Sequence, residues 1–238
     1  MVKGTLFYEG KAKKLFRTND SAVVWAEYLN QATALNGVKK DQINGKGELN
    51  NQITAYVFDF LKTKGINNHF IKRVSSTEQL IQSLAIIPLE VVVRNVAAGS
   101  FSKRLGIAEG KILDQPIIEF YYKDDSLDDP MVIDAHITYL GLASDQELEQ
   151  LRQLALKINQ ALKELFDSIE IVLIDFKVEF GRQKDGTILL ADEISPDTCR
   201  LWDKKTNEHL DKDIYRRDLG DIVPVYQEVL NRLEKRGK

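Results

Sequence analysis

The sequence predicts an α+β fold in two lobes, a small and mostly antiparallel N-terminal lobe followed by a larger mixed lobe. Short alternating and β-branched segments dominate the first third of the chain, as is typical of antiparallel strands. The later part contains a long amphipathic helical pattern and an Asp-Gly turn signal between two strand-like segments. The chain has 238 residues, which is enough to bury a substantial core.

The N-terminal lobe begins with three predicted strands: Leu6–Tyr8, Ala12–Arg17 and Ala22–Tyr28. The segment Gln31–Gly47 is rich in Lys, Asn and Gly and is predicted to be a loop. Apolar residues at helical spacing then predict a helix from Glu48 to about Gly65, and a strand follows at His69–Val74.

The boundary between the lobes is predicted at Pro88. Ser75–Glu78 resembles a capping box, so the residues from Glu78 to Pro88 fit either a helix or a strand. The apolar run Leu89–Asn95 predicts a buried strand. The predicted lobes are therefore residues 1–87 and residues 88–238.

Four further elements are predicted in the second lobe: a short helix at Phe101–Leu105, a strand at Ile117–Tyr122, a long helix after Ser144 and a last helix from about Ile222 to Lys235. The long helix opens with the capping-box pair Ser144 and Glu147 and carries an apolar stripe from Leu148 to Leu165. A hairpin follows it, and then a loop through Pro196.

The composition excludes several classes of protein. With 33 basic and 36 acidic residues the net charge is −3, which gives no electrostatic case for a dedicated nucleic-acid binder. The single cysteine, Cys199, cannot form an internal disulfide and suits a reducing compartment. The start of the chain has no apolar segment of signal-peptide type, and Pro88 and Glu90 interrupt the longest apolar run. We therefore expect a soluble, cytoplasmic protein without membrane partners.

The segment LIDFKVEFG, Leu173–Gly181, is the most informative part of the chain. In a strand, Asp175, Lys177 and Glu179 share one face, opposite an apolar face. If a two-residue turn follows, with Lys184 opposite Thr187, then Glu179 lies directly across from Asp192. Facing carboxylates repel each other unless a divalent cation bridges them. The alternatives are a metal site or a solvated outer face.

Lysines and a glycine occupy a turn near the start of the chain, in YEGKAKKLF. Gly10 permits a close backbone approach, and Lys11 and Lys13 project to the same face if they share a strand. The spacing is neither that of a Walker motif nor that of G-x-G-x-x-G. The segment is thus either a polyphosphate contact or an ordinary solvated turn.

An anion-binding turn is predicted where Arg94 ends a buried strand and Ser100 opens a helix. Free backbone N–H groups at a helix start attract an anion, and an arginine adds a bidentate donor. The alternative is that Ser100 only caps the helix and Arg94 only pairs with a carboxylate.

The segment SPDTCR follows Asp192 and Glu193 and presents Asp197 and Arg200 near the predicted carboxylate pair. No Cys–His arrangement supports Cys199 as a nucleophile, so a structural thiol is the better interpretation. Lys212, in DKDIYRRDLG, fits a second phosphate contact or a charged helix face. Lysines, paired carboxylates and arginine-flanked turns together favour phosphoryl transfer from Mg-ATP to a second anionic substrate.

At these motifs the sequence resembles the SAICAR synthetase family of purine biosynthesis. The two longest matching segments are IIPLEVVVRNVAAGS and LIDFKVEFG, and YEGKAKKLF, GKGELNN, ADEISPDTCRLWD and DKDIYRRDLG are similar to family segments in the expected order. The resemblance covers essentially the whole chain. It implies a two-lobed fold distantly similar to ATP-grasp and kinase-like enzymes, with ATP in the cleft between the lobes.

The resemblance also implies an activity, the ATP-dependent condensation of carboxyaminoimidazole ribonucleotide (CAIR) with L-aspartate. The products are the succinocarboxamide (SAICAR), ADP and phosphate. Residues 1–87 would then form a nucleotide-binding lobe and residues 88–238 a metal- and substrate-binding lobe, in an enzyme expected to be a homo-oligomer. Catalysis of this kind rests on positioning and charge neutralisation, so it needs no nucleophilic side chain.

The roles implied by the resemblance divide the candidate residues into four sets. The ATP-binding set is Gly10, Lys11, Ala12, Lys13, Lys177 and Glu179. The metal set for Mg²⁺ is Glu179 and Asp192. The substrate-binding set is Arg94, Ser100, Asp197, Arg200 and Lys212. The catalytic set is Lys177, Asp175 and Arg200.

Two other functions fit the same residues when the resemblance is set aside. A small-molecule kinase would use the same Mg-ATP cleft but leave the phosphate on a hydroxyl acceptor. A nucleotide-sensing protein would bind ATP without turnover, although it has less need of a metal clamp.

Overall fold

The structure, a computed structural model, describes residues 1–34 and 39–236. This part of the chain forms a five-stranded sheet, a six-stranded sheet, a two-stranded hairpin and six α-helices. All strand pairs within the sheets are antiparallel. The predicted α+β class is confirmed.

The five-stranded sheet contains the N-terminal strands in the order β1 (Lys3–Glu9), β2 (Lys13–Thr18), β3 (Val23–Tyr28), β7 (Glu78–Gln82) and β6 (Phe70–Arg73). Alternate residues of β3 are buried, as a strand with one covered face requires. The first three predicted strands are confirmed. The segment after Ser75 is a strand and not a helix, because the Val74 N–H donates to the Glu78 carbonyl and closes a hairpin.

The predicted loop Gln31–Gly47 is wrong over most of its length. It contains the hairpin of β4 (Gln31–Ala34) and β5 (Lys39–Gln42), while residues 35–38 lie outside the described residues. Ala32 and Ala34 are buried, at 0% and 6% exposure. Such small side chains give a weak alternation in the sequence, which is why the strand was not predicted.

The predicted first helix is confirmed as α1 (Lys46–Thr63). Its buried apolar face includes Ile53, Val57 and Leu61, and it packs against the last helix, α6 (Ile222–Arg236). That last helix is also confirmed. Helix α1 also contacts β3 and β6 of the N-terminal sheet.

The six-stranded sheet has the path β10 (Met131–Val132), β9 (Ile112–Tyr122), β8 (Ala85–Val96), β11 (Ile171–Arg182) and β12 (Ile188–Ala191), with β13 (Cys199–Asp203) also paired to β11. The predicted strand Leu89–Asn95 begins four residues earlier, so Pro88 lies inside β8. Strand β13 lies in the segment that was predicted to be a loop, so the prediction is wrong for these residues. With five residues and a Cys-Arg start, β13 has too little alternation to be recognised.

The remaining helices lie in the second half of the chain: α2 (Gly99–Leu105), α3 (Asp134–Tyr139), α4 (Asp145–Asp167) and α5 (Asp213–Arg216). The capping box of α4 is confirmed, since Ser144 Oγ accepts from the Glu147 N–H and Glu147 Oε2 accepts from the Ser144 N–H at 2.9 Å. Leu151 and Ile158 of α4 are fully buried against the large sheet. No helix in the described ranges combines the length and the hydropathy needed to span a bilayer.

The two sheets are joined at one edge. The His69 N–H, just before β6, donates to the Leu190 carbonyl of β12 at 2.9 Å, and Asn68 forms a parallel bridge with Leu190. The sheets diverge from this junction and leave a cleft between β2, β3 and β7 on one side and β8 and β11 on the other.

Candidate active site

The cleft encloses a cavity of about 580 Å³ that has an apolar part and a charged part. The apolar lining comes from Leu15, Val24, Ala26, Ile81 and Ile86. The charged lining is supplied by lysines and carboxylates of both sheets and of the segment that follows β12. Such a cavity suits a ligand with a flat apolar end and a polyanionic end.

The glycine-containing turn forms one rim of the cavity. The Gly10 N–H donates to the Lys13 carbonyl at 2.8 Å, and Gly10, Lys11, Ala12 and Lys13 all line the cavity. Lys11 precedes β2, which begins at Lys13, so the two lysines do not share a strand as predicted. Lys11 Nζ instead reaches across to Asp125 Oδ1, at 2.7 Å.

Lys13 and Lys177 hold the carboxylate of Asp192 between them. Lys13 Nζ lies 2.5 Å from Asp192 Oδ1 and 3.4 Å from Glu193 Oε1. Lys177 Nζ lies 3.2 Å from Asp192 Oδ2 and 2.9 Å from Glu179 Oε1. Lys177 therefore joins the two carboxylates that the sequence predicts as a pair.

Glu179 and Asp192 converge, but by a different register from the one predicted. The turn of the hairpin has three residues, because the Gln183 N–H donates to the Thr187 carbonyl and Gly186 adopts a φ of 87°. Glu179 consequently pairs with Ala191 and not with Asp192, so the predicted register is wrong by one residue. Asp192 leaves the strand with a φ of 58°, and this left-handed turn brings its side chain to the lysines.

The lysines keep Asp192 ionised. Burial alone would raise the pKa of Asp192, but the charges of Lys13 and Lys177 lower it far below its ordinary value of 3.8. Burial likewise opposes the charge of Lys13, and Asp192 and Glu193 outweigh burial, so the pKa of Lys13 is raised. The cluster is thus a set of fixed charges of both signs.

The donor set of this cluster fits a magnesium ion. Glu179 and Asp192 offer carboxylate oxygens, the ligands that Mg²⁺ prefers, and both lie within reach of one lysine. Glu90 adds a third carboxylate at 3.1 Å from Lys177 Nζ. The ring of His69 also lines the cavity, and its Nε2 is engaged by the Asp192 carbonyl at 3.1 Å.

A second cluster, built around Arg94, lies beside the cavity. Arg94 is 3% exposed, and its guanidinium donates to Glu119 Oε2 at 2.8 Å and to Asp175 Oδ2 at 2.7 Å. Its Nη2 makes a longer contact of 3.3 Å with Ser100 Oγ. Arg200 Nη1 binds Asp175 Oδ2 from the other side, at 2.9 Å. Asp175 therefore lies between two guanidinium groups.

Ser100 does not cap α2. The residue before that helix is Ala98, which offers no side-chain acceptor, and Ser100 faces Arg94 instead. Gly99, with a φ of 53°, leaves the space that the Arg200 guanidinium occupies, because a Cβ there would overlap it. The local sequence thus lets an arginine approach the backbone at the start of α2.

A third cluster joins Lys46, Asp197, Lys212 and Tyr226. Lys46 is 0% exposed, and its Nζ lies 2.5 Å from Asp197 Oδ2. Lys212 Nζ lies 3.6 Å from the same oxygen, and the Tyr226 hydroxyl donates to the other, Asp197 Oδ1, at 2.6 Å. Of these four residues, Asp197 and Lys212 line the cavity.

The structure brings nine of the predicted site residues together around the cavity: Gly10, Lys11, Ala12, Lys13, Lys177, Glu179, Asp192, Asp197 and Lys212. Arg94, Ser100, Asp175 and Arg200 do not line it and form the adjacent cluster. Strand β11 connects the two groups, since it carries Asp175, Lys177 and Glu179 at alternate positions.

Several residues of these clusters were not predicted: Lys46, Glu90, Glu119 and Lys123. Glu90 and Glu119 had a signal, since each is an acidic residue within a strand of apolar neighbours. Lys46 and Lys123 lie in polar segments next to an element, where a lysine is ordinary. Cys199 is buried, with the raised pKa that burial causes, as expected of a structural thiol.

Known proteins match this chain over nearly its whole length. A sequence model described as SAICAR synthetase matches residues 6–233. The chain belongs to the SAICAR synthetase family. It is 64% identical to the phosphoribosylaminoimidazole-succinocarboxamide synthase of Enterococcus faecalis, over 98% of each chain, and 56% identical to that of Bacillus subtilis, over 98% of this chain and 97% of the other.

Solved structures of the SAICAR synthetase family share the fold. The enzyme of Ehrlichia chaffeensis has a TM-score of 0.95 at 48% identity and covers 97% of this chain and 98% of its own. A SAICAR synthetase solved in complex with ADP has a TM-score of 0.92 at 47% identity and covers 95% of this chain and 96% of its own. The fold expected from the family resemblance is confirmed.

Proposed function

We propose that this protein joins CAIR to L-aspartate at the expense of ATP, giving SAICAR, ADP and phosphate. Its membership of the SAICAR synthetase family supports this reaction. The observation that carries the proposal is the position of Lys177. This lysine contacts Glu179 and Asp192 in the cavity and lies two residues from Asp175 of the arginine cluster.

The chemistry agrees with these residues. A carboxylate is a poor electrophile, so ATP must first convert it into an activated form such as an acyl phosphate. The amine of L-aspartate then attacks the activated carbon and displaces phosphate. The protein has to hold two polyanions and an amine in line and to neutralise their charge, and the lysines, arginines and carboxylates of the three clusters suit that task.

ATP is assigned to the cavity. Its purine would lie against the apolar lining of Leu15, Val24 and Ile81, and its phosphates would meet Lys13 and Lys177. The ATP-binding set predicted from the sequence, Gly10, Lys11, Ala12, Lys13, Lys177 and Glu179, lies at this charged end. The relative with bound ADP is consistent with a nucleotide site in this fold.

Magnesium is assigned to Glu179 and Asp192. When bound, the ion would neutralise phosphate charge and polarise the reacting oxygens. The protein's own part is to hold both carboxylates in place. Lys13 and Lys177 do so directly, and His69, uncharged, contacts the backbone carbonyl of Asp192.

CAIR is assigned to the space beside the Arg94 cluster. Arg94, Ser100 and Arg200 would bind its phosphate, and Asp197 and Lys212, which line the cavity, would face its reactive end. Buried guanidinium groups with paired carboxylates are already oriented, so binding a phosphate would cost little rearrangement. Asp175 would act by bridging Arg94 and Arg200 and offsetting their mutual repulsion, two residues from Lys177 on the same strand.

Three broader assignments accompany this proposal. The nucleotide-binding lobe would be residues 1–87, and the metal- and substrate-binding lobe residues 88–238. The protein would work in the cytoplasm, and it would do so as a homo-oligomer. The sequence and the family membership support these assignments.

An ADP-release assay with and without L-aspartate tests the reaction. We expect ADP and free phosphate only when ATP, CAIR and L-aspartate are all present. A phosphorylated product that persists without L-aspartate would favour a small-molecule kinase. Binding of ATP without turnover under every condition would favour a nucleotide sensor.

A further inference from the structure

In the third cluster, two lysines share one oxygen of the Asp197 carboxylate. Lys46 Nζ and Lys212 Nζ lie 2.5 Å and 3.6 Å from Asp197 Oδ2. The second oxygen of Asp197 is already taken by the Tyr226 hydroxyl, at 2.6 Å. A single buried carboxylate balances one ammonium, so this arrangement favours the loss of a proton from one of the lysines.

The nearer lysine, Lys46, makes the direct contact with Asp197. Lys46 is fully buried at the first residue of α1, a position that disfavours a positive charge, and only its direct contact with Asp197 offsets this. Lys212 Nζ lies 3.6 Å from Asp197 Oδ2, farther than Lys46 Nζ at 2.5 Å. Its contact with Asp197 is longer than a hydrogen bond, so Lys212 is the weaker partner.

The surroundings of Lys212 also lower its pKa. Burial lowers the pKa of Lys212, the charges of Lys46 and Arg216 lower it further, and Asp197 and Glu193 oppose them without restoring the ordinary value. Lys212 is nevertheless not sealed off, since its side chain is 11% exposed and lines the cavity with Lys177 and Asp192. It is a lysine that lines the cavity and loses its proton more readily than an ordinary lysine.

The reaction needs such a group. L-aspartate arrives with its amine as an ammonium, which has no lone pair and cannot attack a carbonyl carbon. We propose that Lys212 is the base that takes a proton from the ammonium of L-aspartate, and that Lys46 keeps Lys212 available for this step through the shared carboxylate of Asp197. This inference rests on the proposed condensation with L-aspartate.

Protons and electrons are conserved in the proposed transfer from the L-aspartate ammonium to Lys212. One N–H bond of the substrate ammonium breaks, its proton joins the Lys212 amine, and the pair of electrons stays on the substrate nitrogen. That pair forms the new C–N bond with the activated carboxyl carbon, while the C–O bond to phosphate breaks and phosphate leaves with its electrons. The second proton of the attacking nitrogen goes to the departing phosphate, and Lys212 returns its own proton to water.

Substitutions of Lys212 give the main test, with ADP release measured across neutral and alkaline pH. For Lys212→Met we expect kcat with L-aspartate to fall by about 10² to 10⁴-fold, the range for a lost general base. The residual rate should rise in proportion to hydroxide, because only substrate amine already free in solution then reacts. The KM for ATP should change far less than kcat, and Lys204→Met, at an exposed lysine outside the cavity, should behave as wild type.

Lys212→Arg separates a base from a mere positive charge. An arginine keeps the charge but stays protonated, so it should not restore kcat. Wild-type activity in Lys212→Arg would overturn the assignment and make Lys212 an anion contact. Hydroxylamine, largely uncharged at neutral pH, provides a second check as the amine. Its use should survive in Lys212→Met, and a loss as large as that for L-aspartate would also overturn the assignment.

Lys46→Met tests the second half of the inference. Without Lys46, the whole Asp197 charge acts on Lys212, which raises the pKa of Lys212 and should move the rising limb of the kcat profile to higher pH. An unmoved limb would overturn the role of Lys46. If the proposed reaction itself is wrong, wild type shows no ADP release that depends on L-aspartate. If the reaction is right and only the role of Lys212 is wrong, wild type releases ADP in an L-aspartate-dependent way and Lys212→Arg has the same kcat.

Discussion

Lys123 Nζ donates to both oxygens of the Glu179 carboxylate, at 2.5 Å and 2.6 Å. Lys177 holds one of these oxygens as well, so two lysines fix the carboxylate that we assign to magnesium. Lys123 is the more exposed of the two, at 37% against 23%. It is therefore the partner that can turn toward a phosphate when the nucleotide binds, while Lys177 stays in place.

Glu179→Gln should abolish turnover while leaving the fold intact. The glutamine keeps the volume of the side chain but removes the charge that binds the metal and both lysines, so we expect kcat to fall by about 10²-fold or more. ADP release over a series of magnesium concentrations measures this, with thermal unfolding as the check on folding. Glu164→Gln, on the exposed face of α4, is the matched control. Near-normal activity of Glu179→Gln would refute the metal assignment.

Gly99→Ala should weaken the binding of CAIR. The added Cβ would overlap the Arg200 guanidinium, and a displacement of this size costs roughly 10 to 100-fold in the KM for CAIR. The KM for ATP should change little, because Gly99 does not line the nucleotide cavity. Steady-state kinetics with each substrate varied in turn measure both values.

Gly106→Ala is the matched control for that substitution. Gly106 ends the same helix with a φ of 64°, and a Cβ there meets nothing within 4 Å. The variant should lose about 1 kcal/mol of stability from its left-handed backbone but keep the KM for CAIR. Equal effects of the two alanines on that KM would show that strain, and not Arg200, is responsible.

His69 should make the protein less stable as the pH falls. Burial lowers its pKa from 6.5 to about 3, so the unfolded chain binds a proton before the folded protein does. Above pH 6.5, the uncharged His69 makes its full contribution to the free energy of unfolding. Below that pH, the contribution falls by up to about 1.4 kcal/mol per pH unit. Urea unfolding between pH 6.5 and pH 4.5 should show this slope.

His69→Gln should remove that slope, because glutamine does not titrate and can still donate to the Asp192 carbonyl. Carboxylates begin to titrate at the lower end of this range, so the slope of His69→Gln is subtracted from that of wild type to isolate the contribution of His69. An unchanged slope in His69→Gln would mean that another group is responsible for the pH dependence.

Ser144→Ala should destabilise the protein by about 1 kcal/mol, because it removes the acceptor for the Glu147 N–H at the start of α4. Chemical denaturation measures the free energy of unfolding. Ser144→Thr keeps a hydroxyl in the capping position and should recover most of the loss. A Ser144→Ala variant as stable as wild type would show that water replaces the cap without cost.

The sequence predicted most elements correctly because their signals are local. The capping box at Ser144 and the apolar stripe of α4 lie within one element and need no knowledge of its partners. The β4–β5 hairpin and β13 were missed for the opposite reason. Ala32 and Cys199 are buried by contacts that come from elsewhere in the chain, and short segments of this kind have little pattern of their own.

The candidate site was predicted better than the register on which the prediction depended. Lys177 does contact both Glu179 and Asp192, as the predicted pairing of the carboxylates requires. The turn, however, has three residues and not two, and the left-handed backbone of Asp192 compensates for the resulting one-residue shift in register. Neither the turn length nor that φ follows from the letters Lys-Asp-Gly-Thr. Lys46 and Lys123 could not be found at all, because only the folded chain brings them to Asp197 and Glu179.

Strand β11 also determines the dimensions of the site. Asp175 and Glu179 are four residues apart on one regular strand, so about 13 Å of backbone separates the two ends of the site. Loops can be lengthened without moving these ends, whereas removing a single residue between them would turn one end to the opposite face of the sheet. The distance between the two ends of the site is therefore fixed by the rise per residue of β11. Two substrates with a different combined length would need residues at a different spacing along the strand.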